Sequence, residues 1–202
     1  QTITLVLQID ISPAASVDDL TITGSGADLL TITKPTGAGS RAIRNGINGN
    51  PPDTTTITGI NFSQTVGGAI SNQAILTVTN CTFTNIASTV SGVGISNPLV
   101  GTLTVTDSGF SGNGVPSGGG FGGGLDNDGT ATVTNSTFSS NTVGAGGAIS
   151  NGGGLTVSGC AICGAQSCKS ETGRQTPRPT NGAARWPIFR DGMTRLWRSR
   201  LY

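Results

Sequence analysis

Histidine is absent from this chain of 202 residues, and charge and aromatic rings are scarce, at 10% and 4% of its composition. Without histidine the commonest neutral metal ligand and general base are missing. From residue 54 to residue 160 there is no Lys or Arg either. No run of 18 apolar residues occurs, so no membrane-crossing helix is expected. The single methionine is Met193, and no basic segment leads into an apolar stretch. A signal peptide is therefore not visible, and a chain that opens at Gln1 inside a strand-like run reads as an excerpt or a processed form.

What the chain has in quantity is Gly, Thr, Ser and Asn, arranged in repeats. Nearly the same hexad is written four times: GGAISN at 67–72, GVGISN at 92–97, GGGLDN at 122–127 and GGAISN at 146–151, in steps of 25, 30 and 24. A period of that length is the signature of a solenoid. After each hexad comes an alternating segment, LTVTN at 76–80, LTVTD at 103–107, ATVTN at 131–135 and LTVSG at 155–159. Apolar and hydroxylated residues trading places with period two describe a half-buried strand. A third segment carries one large apolar residue, Phe83, Phe110 or Phe138, with Cys160 and Ile162 in the last copy. Two copies complete an FxxN, Phe110 to Asn113 and Phe138 to Asn141, whereas Phe62 and Phe83 keep only the aromatic.

Three strands per repeat, with Asn, Gly and Ser at the corners, make one coil of a parallel β-helix. No coil can bury its Leu, Val, Ile and Phe alone, so stacking at about 4.8 Å per coil must supply both ladder and core. Weaker copies of the grammar at 2–5, 20–23, 30–33 and 55–58 predict about two further coils. They are joined through Lys34 to Asp53, which reads as loop. The expected fold is all-β, a solenoid of about six to seven coils over residues 1–160, followed by an irregular or partly helical tail over 161–202. Extra residues, such as the Gly-rich stretch 112–124, bulge outward as loops.

Paired GGAI-like and FxxN motifs in a Thr/Ser/Asn/Gly-rich chain resemble the repeats of the polymorphic outer-membrane-protein family and related bacterial surface proteins. The resemblance covers residues 54–160 well and 1–53 loosely. It implies a right-handed helix and an extracellular or outer-surface passenger segment, often adhesive, without a shared catalytic residue. The membrane barrel that ends typical members of that family is not in this sequence.

After Cys160 the composition changes. Residues 161–202 hold 8 of the 11 Lys and Arg, both Trp, the only Tyr and the only Met, and none of the repeats. Three readings compete. A shifted reading frame accounts best for the Arg, Pro, Ala, Trp and Cys bias. A capping or anchoring helix fits the one-sided spacing of Ile188, Phe189, Met193, Leu196, Trp197 and Leu201, and would attach only weakly to an anionic surface. A nucleic-acid arm fits worst, because the body is acidic, and no nucleic-acid partner is expected.

The cysteines point to neither zinc nor a long-range disulfide. Cys81 and Cys160 occupy matching positions three coils apart, roughly 14 Å, too far to bridge. Each reads as a buried filler in the slot of Ser108 and Ser136. Cys160, Cys163 and Cys168 lack a fourth zinc ligand, and a local bridge, Cys163 to Cys168 or Cys160 to Cys168, suits a secreted chain.

Hydrolases and lyases built on parallel β-helices act through clustered Asp residues with His, or through a basic residue, often with Ca²⁺. Here the one acidic pair of residues 54–160 is Asp126 and Asp128, at a turn position where other repeats have Ser71, Ser96 and Ser150. It reads as a solvated corner or a weak Ca²⁺ contact, so no catalysis, cofactor or resident metal is expected. The binding candidates are Thr77, Thr79, Thr104, Thr106, Thr132 and Thr134, which alternation turns outward into two files. Sites on such files lie roughly 6.7 Å apart along a strand and about 4.8 Å between coils. The expected function is a non-catalytic passenger module that meets host-cell, matrix or glycan surfaces, with the loops at 88–101 and 112–124 as contact regions. A regular Thr array also suits ice, and an uncapped terminal coil invites end-to-end self-association.

Overall fold

The computed structural model describes residues 2–4, 9–11, 20–26, 29–34, 41–46, 54–116, 119–144, 146–163, 168–175 and 186–187. Successive turns lay their strands in three parallel files, each named here by the residue that recurs in it. The Thr face stacks β3 (Leu20–Thr23), β6 (Thr54–Thr58), β9 (Ile75–Thr79), β12 (Thr102–Thr106), β15 (Thr130–Thr134) and the first half of β18 (Gly154–Cys163). The Phe face stacks β1 (Thr2–Thr4), β4 (Thr31–Thr33), β7 (Asn61–Ser63), β10 (Thr82–Thr84), β13 (Gly109–Ser111), β16 (Thr137–Ser139) and the second half of β18. The Asn face stacks β2 (Ile9–Ile11), β5 (Ile43–Asn45), β8 (Ile70–Asn72), β11 (Ile95–Asn97), β14 (Leu125–Asn127) and β17 (Ile149–Asn151). The result is a parallel β-solenoid, and the described residues contain no helix.

The register puts like upon like. Ile57, Val78, Val105, Val133 and Val157 form one inward column of the Thr face, and Ile43, Ile70, Ile95, Leu125 and Ile149 one of the Asn face. Phe62, Phe83, Phe110 and Phe138 stack as parallel rings with centroids 5.0, 4.6 and 4.6 Å apart. All are buried. Each ring gains its neighbours only through stacking, which is why a lone coil has no core.

The second inward column of the Asn face is polar. The Nδ2 groups of Asn45, Asn72, Asn97 and Asn127 each donate to Oδ1 of the next asparagine, at 2.8, 2.8, 2.7 and 2.7 Å, ending at Asn151. The same nitrogens reach the carbonyls of Ile75, Thr102, Thr130 and Gly154. A buried amide is tolerated when its groups are paired, and this column pairs them rung by rung. The FxxN asparagines work alike at another corner: Asn113 donates to the Phe83 carbonyl at 2.9 Å and Asn141 to that of Phe110 at 3.0 Å.

Between the Thr and Phe faces the chain turns on one left-handed residue per coil. These are Gly59, Asn80, Asp107, Asn135 and Gly159, with φ of 66°, 51°, 50°, 50° and 63°. Asn, Asp and Gly tolerate that region best, so these positions of the repeat select for them.

Four complete turns follow one another between Thr54 and Asn151, and β3, β4 and β5 give one strand to each file before them, so the count falls slightly short of the six to seven expected over residues 1–160. β1 to β5 continue the same three files upstream, but with strands of three or four residues and longer connections. The segment expected to be loop from Lys34 to Asp53 contains β5, whose Ala42-Ile43-Arg44-Asn45 is a worn copy of the AISN in the hexads. The strand grammar of the last coil runs on to Cys163, with Ala161 and Ile162 in register with Thr137 and Phe138. Beyond it β19 (Cys168–Gln175) pairs antiparallel with β18, and β20 (Trp186–Pro187) with β17. The helix expected from Ile188 to Leu201 lies outside the described residues.

Candidate interaction surface

The outward positions of the Thr face form two files. Thr56, Thr77, Thr104, Thr132 and Thr156 stand in one, and Thr58, Thr79, Thr106, Thr134 and Ser158 in the other. Thr21 and Thr23 extend both by a rung. All six candidate threonines are therefore brought together on one sheet. Thr132 is exposed and the other five are half-buried between neighbours of their own file. None of the six hydroxyls has a hydrogen-bond partner within the chain among the described residues. A third outward column, Thr54, Ile75, Thr102, Thr130 and Gly154, also carries no charge.

The adjoining Phe face is hydroxylated too, but its groups partly satisfy one another. Thr82 and Thr84 both donate to Asn61 Oδ1, at 2.8 and 3.1 Å, and Asn61 Nδ2 donates to the Thr31 hydroxyl at 3.2 Å. The hydroxyls of the six Thr-face candidates have no such pairing among the described residues.

The outward loops are tied rather than free. Gly92 donates to the Phe121 carbonyl at 2.8 Å, and the Phe121 amide to Ser91 Oγ at 3.1 Å. The side chain of Arg41 spans from the turn before β5 to the same place, donating through Nη2 to the Ser91 carbonyl at 2.6 Å and through Nη1 to that of Gly92. A side chain at Gly68 would collide with that guanidinium, so Gly68 leaves the room in which Arg41 lies. Burial pushes the Arg41 pKa down to about 10, although the negative charge of Asp126 opposes the shift. The loop tips expose apolar residues: Leu99 and Val100 at one turn, Val90 and Phe121 at the tied pair.

Asp126 departs from the expected solvated corner. It points away from the core on β14, in register with Ser96 and Ser150, yet is 6% exposed. Arg41, 85 positions upstream, is the charge brought within its electrostatic reach. Only solenoid stacking creates that proximity, so linear spacing gave no sign of it. Asp128, in the turn that follows, is half-buried. No three His, Cys, Asp or Glu side chains gather as metal ligands would among the described residues.

Cys81 and Cys160 fill the slot they share with Ser108 and Ser136. The Cys81 amide donates to Ser108 Oγ, that of Ser108 to Ser136 Oγ, and that of Ser136 to Cys160 Sγ. Both thiols are free and buried. Burial raises their pKa, which leaves little thiolate to react. Cys163 is disulfide-bonded and stands opposite Cys168 in the β18 to β19 register. Of the two local bridges considered, the one through Cys160 is therefore not formed.

Sequence reasoning missed the asparagine column and Arg41. The first had a visible signal, since every hexad ends in Asn; the second had none. Over residues 45–177 the sequence matches the family described as right handed beta helix region. No curated protein and no solved structure matches the chain.

Proposed function

Because the chain belongs to the right-handed β-helix family, in which stacked rungs make a rigid rod, we propose that it is a non-catalytic interaction module of a secreted or cell-surface protein. Its Thr face binds an extended, polyhydroxylated partner such as a glycan or matrix polymer. The observation that carries this reading is the pair of threonine files, in register over successive rungs, uncharged, and with hydroxyls that make no bond among the described residues. A partner with repeating hydroxyls can exchange hydrogen bonds at many rungs, each weak alone and additive over the length. The oxidised Cys163 supports an extracellular setting, and the motif resemblance supports a bacterial surface passenger. The burial of Asp126 supports a structural rather than a hydrolytic role for it.

The test is binding to immobilised polysaccharides and matrix polymers, with Thr104→Lys and Thr132→Lys singly and together. Each single change is expected to weaken binding several-fold and the pair to abolish it. Unchanged binding in the double variant removes the Thr face from the proposal. The regular two-dimensional spacing of the same files favours ice as a second reading. Thermal hysteresis that disappears in the double variant supports it, and its absence in the unmodified protein disposes of it.

A further inference from the structure

The last rung is closed differently from every rung before it. β18 supplies its Thr-face and Phe-face strands in one run of ten residues, turned at Gly159. β19 lies along that run antiparallel, from Leu155 opposite Gln175 to Cys163 opposite Cys168, with one irregularity between Val157 and Cys160. β20 covers the Asn-face edge at Ser150 and Asn151. All the other strand pairs among the described residues are parallel.

A parallel rung adds Leu, Val, Ile or Phe to the stack. The sequence of β19, Cys-Lys-Ser-Glu-Thr-Gly-Arg-Gln, has no aliphatic or aromatic residue to add. What the structure describes of its hold on β18 is the backbone ladder, which sets Cys168 opposite Cys163. Cys163 is disulfide-bonded, Cys81 and Cys160 are free, and Cys168 is the remaining one of the chain's four cysteines. Cys160 is no internal substitute: with Ile162 it faces the core, whereas Cys163 lies on the outward side of the same strand.

We propose that β19 is a disulfide-locked plug over the end of the solenoid, and that opening the lock lets a second copy of this chain add to β18 as the next rung. A dithiol reductant supplies two electrons and two protons. The sulfur–sulfur bond at Cys163 breaks to give two cysteine thiols, and the two thiols of the reductant become joined in a disulfide. The edge then freed presents unpaired N–H and C=O groups above the inward Leu155, Val157 and Ile162. What fits that edge is a rung with the same alternation, and rung on rung is the interface this chain already repeats through its length.

The experiment is sedimentation velocity of the full chain at several concentrations, with and without dithiothreitol, beside hydrogen exchange read by mass spectrometry. The oxidised chain is expected to sediment as a monomer and the reduced chain to associate with rising concentration. Cys163→Ser is expected to associate without reductant. Exchange in 168–175 is expected to quicken by about tenfold or more on reduction while 102–139 stays protected. A reduced chain that remains monomeric overturns the proposal, as does equal association in both states. Loss of protection throughout on reduction also overturns it, because the disulfide would then hold the fold rather than a plug.

Discussion

The amide of Asn97 accepts from Asn72 at 2.8 Å and donates to Asn127 at 2.7 Å, with the Gly101 and Thr130 carbonyls as further acceptors at 3.2 Å. Replacing it by aspartate changes the shape little and the chemistry entirely. A carboxylate accepts from Asn72 but has nothing to give Asn127, and it sets a charge in a fully buried site. Asn97→Asp is expected to lose about 3 kcal/mol or more at neutral pH in urea unfolding. The buried acid has a raised pKa, so its protonated form is favoured by folding, and the loss shrinks as pH falls and grows as pH rises. The converse case is Thr65, which occupies the slot of Asn113 and Asn141 with a buried hydroxyl that has no partner among the described residues. Thr65→Val removes an unpaired group at constant shape and is expected to be neutral or stabilising by about 1 kcal/mol; a clear loss in thermal unfolding would contradict that account.

At the scale of a strand, alternation decides everything. In β12, Leu103 and Val105 face the stack while Thr104 and Thr106 face out, so adjacent residues answer to different solvents. Val105→Asp puts a charge between Val78 and Val133 and is expected to cost about 4 kcal/mol or to abolish folding, whereas Thr104→Asp is expected to stay within about 1 kcal/mol of the unmodified chain. Comparable midpoints for the two would refute the assignment of faces. This much was legible beforehand, because period two survives in every copy of TVT and because the FxxN and hexad motifs mark the other two faces. It failed where copies are worn: Ala42-Ile43-Arg44-Asn45 keeps the inward Ile and Asn but has lost its glycines, and glycine was the signal. The same Thr-Ile-Thr triplet also serves the Thr face in β3 and the Phe face in β4, a choice that rung stacking makes and local sequence does not.

Across the whole molecule, stability is shared between neighbouring rungs and is lowest where rungs are short. The strands from β6 onward are backed by the phenylalanine stack and the asparagine column, whereas β1 and β2 lie beyond the ends of both. Native-state hydrogen exchange is expected to show the slowest amides in β9, β12 and β15 and markedly faster ones in β1 to β4; uniform protection would mean that the upstream strands belong to the same cooperative unit. The contacts that cross rungs, such as Arg41 with Ser91 and Gly92, could not be read from the sequence. Residues far apart in the chain meet there only because the pitch of the stack is fixed.

Each amide in the asparagine column points the same way. The acceptor end is closed by the Thr55 hydroxyl on Asn45 and the donor end by Asn151 on the Gly153 carbonyl. The rod therefore carries an arrow. Reversing one member would set oxygen against oxygen on one side and hydrogen against hydrogen on the other, so the column can invert only as a whole. Both ends of the column lie inside the rod, Asn45 in register with Ile11 of β2 and Asn151 with Trp186 of β20, so the direction of the arrow is set within one chain.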